Sequence, residues 1–145
     1  MIVNTRPSIL ANKTNELLAC SGIEFIHEPL TKILSIAPSN QALEKLQQLD
    51  SYDVIIFTSQ TAAKFGAPYL QKHTSKNLNL LIMAIGLATQ RVLSEHDLVS
   101  EVPSGFNSAG LAELIEQGKH EKCLIFCGEK QPQLSFHTPV TLDTF

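Results

Sequence analysis

Four short stretches hold residues whose types and spacing could do chemistry: Thr5-Arg6, Thr58-Ser59-Gln60, Gly86-Leu87-Ala88-Thr89 and Gly105-Phe106-Asn107-Ser108. Each lies where an extended run gives way to a helical pattern. The first amides of a helix have no partner within it and sit at the positive end of its dipole, so they attract anions. Serine and threonine add hydroxyl donors, and Gly86 lets a ligand approach the backbone. Together these junctions suit a ligand carrying several negative groups. The competing role is local: Ser59 and Ser108 can simply cap the helices they precede.

Other chemistries find less support. The chain has no G-x-x-x-x-G-K-[ST], G-x-G-x-x-G or G-x-S-x-G pattern, so nucleotide and nucleophile-elbow signatures are missing. Glu113 and Glu116, three apart on a helix, read as a solvated face. His27 reads as a histidine at a strand edge. His120, Cys123 and Cys127 are close in sequence, but Leu124-Ile125-Phe126 between the cysteines looks like a buried strand. Four steps of a strand span roughly 13 Å, too far for one zinc with bonds of about 2.3 Å. The cysteines therefore read as core residues.

The formal net charge is -3 with no Lys/Arg cluster, which argues against a nucleic-acid groove. No apolar run is long enough to cross a bilayer, and Met1 to Arg6 lacks the basic head and apolar core of a signal peptide. Three cysteines, an odd number, suit reduced thiols and a cytoplasmic location.

The elements that must position these junctions follow from the pattern. The 145 residues are 43% hydrophobic and 17% charged, as in a globular chain with a core. Ile2-Val3-Asn4, a helix from Pro7 that Gly22 stops, and Phe25-Ile26-His27 make a β-α-β unit. Thr31 to Pro38 is extended. Ser39 caps a helix carrying Ala42, Leu43, Leu46 and Leu49. Val54 to Phe57 has no polar alternation, so both faces of that strand should be covered, as in a parallel sheet. The next helix contains Gly66 and Pro68, and Pro68 predicts an early end or a kink. Strands are predicted at Leu78 to Ile85, at Leu98-Val99 before Pro103, and at Cys123 to Phe126, with helices over Leu87 to Glu95 and from Ser108 to Gly118. The alternation predicts an α/β fold with an open, doubly wound parallel sheet flanked by helices, where ligands bind at the carboxyl ends of the strands.

Five segments in order resemble one family: Thr5-Arg6-Pro7, Tyr52 to Ser59, Ala84 to Thr89, Phe106 to Leu111 and Leu124 to Glu129. They are similar to uroporphyrinogen-III synthase, an enzyme of tetrapyrrole (haem) biosynthesis. The resemblance implies a lyase that converts hydroxymethylbilane, a linear tetrapyrrole, into uroporphyrinogen III. The hydroxyl is lost as water, the ring closes and the last pyrrole is inverted. It implies no cofactor. Two domains are implied, the first discontinuous: residues 1–30 open it as a β-α-β piece, 31–38 link outward, 39–130 form the second domain and 131–145 are irregular.

Carried over residue by residue, the resemblance places Thr5 and Arg6 on one wall of a cleft, with Arg6 either binding or structural. It places Thr58, Ser59, Gly86, Ala88, Thr89 and Ser108 on the other wall, to bind and orient carboxylates. The sequence departs from the family at Gln60-Thr61, where Pro-Asn is frequent, and at Cys127, where Arg is common. The family also continues further, with a tyrosine that assists departure of the hydroxyl, and neither Tyr52 nor Tyr69 matches it. The expectation is a truncated or divergent polypeptide with weak or absent turnover. The alternative expectation is a non-catalytic α/β module that binds an anionic small molecule or a partner protein. Unpaired edges near Ile2 to Asn4 and Phe25 to His27 would leave it a monomer or a swapped dimer.

Overall fold

The structure, a computed structural model, describes residues 1–74, 80–129 and 133–145. The chain divides into two units, Met1–Ala37 and Pro38–Phe145. In the first, β1 (Ile2–Asn4) and β2 (Phe25–His27) pair in parallel, joined by helix α1 (Ser8–Cys20). Gly22 ends the helix in the left-handed region (φ 65°), and Ile23 N donates to Leu18 O at 2.9 Å. Ala11 of α1 is buried, whereas Val3 and Ile26, opposite one another in register, are about half exposed.

The second unit begins with α2 (Asn40–Gln47), which Ser39 caps by accepting from Ala42 N at 3.2 Å. A single 3-10 turn (Leu49–Ser51) leads into β3 (Val54–Phe57), buried at every position. Then come α3 (Gln60–His73), β4 (Leu81–Ala84), α4 (Leu87–Ser94), α5 (Ser108–Gln117), β5 (Lys122–Phe126) and β6 (Thr141–Thr144). The sheet order is β4-β3-β5-β6, and every pairing is parallel. This is the expected α/β fold with parallel sheets flanked by helices.

Both faces of β3 are covered, which is why its sequence lacks polar alternation. Ile55 and Phe57 pack with Leu46, Ala63, Ala67, Leu70 and Leu93 from α2, α3 and α4. Val54 and Ile56 face the other way, onto Leu111 and Ile115 of α5. Each such large apolar side chain stabilises the fold by about 1.5–3 kcal/mol when fully buried. Cys123 lies in that second layer, completely buried, in agreement with its reading as a core residue.

Several expectations are corrected. α3 continues through Pro68 to His73 instead of ending early. The carbonyl that proline leaves without a donor is that of Lys64, an exposed residue, while Ala63, Gly66, Ala67 and Leu70 hold the other face in the core. Gly66 has a packing reason. A Cβ there would collide with the Phe126 ring, which stacks on Phe57 at 4.5 Å. Leu98-Val99 forms no strand; Val99 is 91% exposed, and only Glu101 makes a parallel bridge, to Met83. Residues 131–145 are not irregular throughout, because β6 joins the sheet beside β5. Leu78 and Asn79, predicted to begin a strand, lie outside the described residues.

Candidate functional site

In register, Phe57 stands opposite both Ala84 and Phe126, so β3, β4 and β5 end level with one another. Thr58, Ile85-Gly86 and Cys127-Gly128 leave the sheet along this one carboxyl edge. The chain runs from β3 out to β4, then crosses back to β5 on the other side of β3. The topological switch point therefore lies between β3 and β5, where ligands bind in open α/β sheets.

Three helices start at this edge. At α3, Ser59 is the cap: its Oγ accepts from Ala62 N at 3.0 Å and its carbonyl from Ala63 N at 3.0 Å. At α4, Gly86 O accepts from both Thr89 N and Gln90 N at 3.0 Å, with no side-chain cap. At α5, Asn107 Oδ1 accepts from Gly110 N at 2.8 Å and its carbonyl from Leu111 N at 3.1 Å. Among the described residues, nothing accepts from the amides of Gln60 and Thr61, Leu87 and Ala88, or Ser108 and Ala109. None of the three first turns contains an acidic residue, so the positive dipole ends are uncompensated.

The expected residues fall into place differently. Thr58 is half-buried, and its amide and hydroxyl both donate to Phe126 O. Gly86 is extended (φ -169°), a conformation any residue adopts, and a Cβ there would meet nothing within 4 Å. Ala88 is exposed, whereas Thr89 is 3% exposed and turned inward with Leu93. Ser108 is the first residue of α5 and not its cap, which is Asn107. The edge thus gathers Thr58, Ser59, Gly86, Ala88 and Ser108, and the side chain of Thr89 lies beneath it.

In the first unit, Thr5 and Arg6 are exposed at the end of β1. Arg6 N donates to Asn4 Oδ1 at 3.2 Å, and the Arg6 carbonyl is bonded to His27 Nε2 at 2.9 Å. Asn4 is itself buried, and its Nδ2 donates to Asn15 Oδ1 at 2.6 Å. A cavity of ≈ 530 Å³ lies between Ser8-Ile9 at the start of α1 and the segment Pro29 to Ile33, which includes Lys32.

Some residues of the edge carried only a faint signal in the sequence. Cys127 and Gly128 follow β5 beside Thr58; Cys127 is half-buried, burial raises its thiol pKa, and a Cβ on Gly128 would meet nothing within 4 Å. A glycine two residues after a buried strand was the available clue. Phe106 precedes the α5 cap in the left-handed region (φ 48°) and is 56% exposed. That conformation costs an ordinary residue about 1–2 kcal/mol.

The remaining polar groups hold structure together. Tyr52 is buried, and its hydroxyl donates to Asp143 Oδ2 at 2.8 Å; burial, then that bond and the Asp143 charge, push its pKa far up. Lys45 Nζ lies 3.8 Å from Asp143 Oδ1, tying α2 to β6. Asp53 Oδ2 accepts from the amides of Glu121 and Lys122 at 2.9 Å. Glu113 accepts from Gln117, but Glu116 is more than a solvated residue: it accepts from the amides of His137 and Thr138. Among the described residues, no cluster of His, Cys, Asp or Glu could hold a metal ion, and no helix is long and apolar enough to cross a membrane.

Comparison with known proteins agrees with this architecture. The family described as "Uroporphyrinogen-III synthase HemD" matches residues 12–135, which include every named residue of the edge but not Thr5 or Arg6. A protein of Methanothermobacter thermautotrophicus named "Putative uroporphyrinogen-III synthase" is 30% identical over 113 residues, which cover 77% of this chain. The same match covers 44% of that relative, so the chain spans less than half of the relative's length. From Thr58 to Gly128, the carboxyl edge falls within the matched residues, and the chain belongs to the uroporphyrinogen-III synthase family.

Proposed function

We propose that the chain binds hydroxymethylbilane and acts as a uroporphyrinogen-III synthase, a lyase of tetrapyrrole biosynthesis. One observation carries this reading. Three helix starts with six free amides and no acidic first-turn residue share one sheet edge in a chain of this family. A linear tetrapyrrole carries acetate and propionate arms, and such amides hold carboxylates without requiring a basic protein.

In this reading the free amides of α3, α4 and α5 take carboxylate arms, and the open backbone at Gly86 lets one approach closely. Thr58 orients through its lone pairs, since its proton is given to Phe126. Ser59 stiffens the α3 start as its cap. In the first unit, Arg6, exposed at the end of β1, offers a cation to a carboxylate.

The edge positions the substrate and transfers no proton from its first turns. Holding the two ends of the linear molecule together converts closure into an intramolecular step. The C–O bond of the hydroxymethyl group breaks, with the hydroxyl leaving as water. Inversion of the terminal pyrrole needs a second exchange. The methylene bonds to the α-carbon that holds the bridge to the preceding ring. That bridge bond breaks and re-forms at the pyrrole's free α-carbon, and the proton this carbon releases balances the hydroxyl lost as water.

The test is to supply hydroxymethylbilane and separate the products. Slow formation of the type III isomer is the expected result, in keeping with the weak turnover expected of this chain. Formation of the spontaneous type I isomer alone would reject the activity for this chain.

A further inference from the structure

We infer that Phe106 is a ring-contact residue for the tetrapyrrole, an inference that rests on the reading of the carboxyl edge as its site. Glu101 pairs with β4 through Glu101 N to Ile82 O and Ala84 N to Glu101 O, both 2.8 Å. The chain just after it, Val102 to Asn107, therefore emerges at the same edge as Gly86. There Phe106 N donates to Pro103 O at 3.1 Å, closing a turn directly before the α5 cap. Phe106 is 56% exposed, and Leu87, the first residue of α4, is 57% exposed. Two large apolar side chains thus stand among the free amides.

The residue type is the informative point. A left-handed position favours glycine or asparagine, because the Cβ of other residues crowds the backbone. Phenylalanine occupies that position with glycine and asparagine on either side of it, at Gly105 and Asn107. The residue is 56% exposed, so more than half of it is left for a contact outside the fold. Backbone outliers of this kind persist at binding sites, where another requirement selects the side chain. The ligand supplies that requirement. Amides satisfy the carboxylate arms of a tetrapyrrole and leave its flat, electron-rich pyrrole faces wet. An aromatic ring on a fixed turn covers one such face.

The test titrates uroporphyrinogen III, kept reduced and anaerobic, into the full chain by calorimetry, alongside thermal melts. Phe106→Asn and Phe106→Gly relieve the crowded backbone while removing the ring. They should melt at or above the wild-type midpoint and bind roughly tenfold more weakly, whereas Phe106→Tyr should bind as wild type does. Undiminished binding by Phe106→Asn and Phe106→Gly would overturn the inference, and so would a lowered midpoint in both, which would mark the ring as structural. If the wild-type chain itself binds no uroporphyrinogen, the reading of the site falls first and this inference with it.

Discussion

Thr58 meets Phe126 twice: its amide and its hydroxyl each donate to the Phe126 carbonyl at 3.2 Å. This pair of hydrogen bonds closes the ladder between β3 and β5 at the switch point, so the edge starts from a fixed seam. Thr58→Val keeps the amide bond and loses the hydroxyl. It should cost about 0.5–1.5 kcal/mol, the net worth of one hydrogen bond. Urea denaturation would read this; an unchanged midpoint would show that the hydroxyl does not brace the seam.

The two glycines Gly66 and Gly86 should respond oppositely to alanine. At Gly66 the new Cβ runs into the Phe126 ring, so Gly66→Ala should lose about 1–3 kcal/mol despite its better helix propensity. At Gly86 the space is open and φ is ordinary, so Gly86→Ala should melt near wild type yet weaken uroporphyrinogen binding by covering the backbone. Equal melting losses in the two variants would contradict the packing described for α3.

Asn107, not Ser108, caps α5. Asn107→Ala should therefore cost about 1 kcal/mol, and Ser108→Ala distinctly less. Reversal of that order in chemical denaturation would restore Ser108 as the cap.

Asp53 links pH to stability. The amides of Lys122 and then Glu121 hold its carboxyl below the usual carboxylate range. A carboxylate lowered on folding adds stability above its unfolded pKa of about 3.9, and that stability is lost as pH falls through the folded value. Asp53 is exposed, so solvent screening keeps the contribution modest, about 1 kcal/mol. Asp53→Ala should thus lower the melting point at pH 7 and converge with wild type in strong acid. A constant gap across the acid range would exclude the linkage.

Thiol reactivity should follow burial. Cys20 is exposed, and Cys123 is fully buried with its pKa pushed up to about 11 by desolvation and then by the Asp53 charge. A thiol reagent at neutral pH should label Cys20 at once, Cys127 slowly, and Cys123 only after unfolding. Early labelling of Cys123 in the native chain would contradict its place in the core.

The sequence alone determined the strong local features. The apolar run Val54 to Phe57 announced a strand covered on both faces, and the order of strands and helices announced a parallel α/β sheet. The small polar residues after each strand marked the carboxyl edge of the sheet, because the carboxyl ends of parallel strands deliver helix starts there. What it could not determine were competitions between neighbours and contacts between distant residues. Pro68 read as a breaker because its local cost is visible, while the core burial of Ala63, Gly66, Ala67 and Leu70 that outweighs it is not. Asn107 and Ser108 are both good caps, and only the turn at Phe106 decided between them. β6 lay hidden in an irregular stretch because its strand form depends on β5 as a partner. Thr89 shared its motif with exposed neighbours, yet one helical turn carried it inward. Local chemistry wrote the elements of this protein, and long-range packing chose which of their side chains reach the edge.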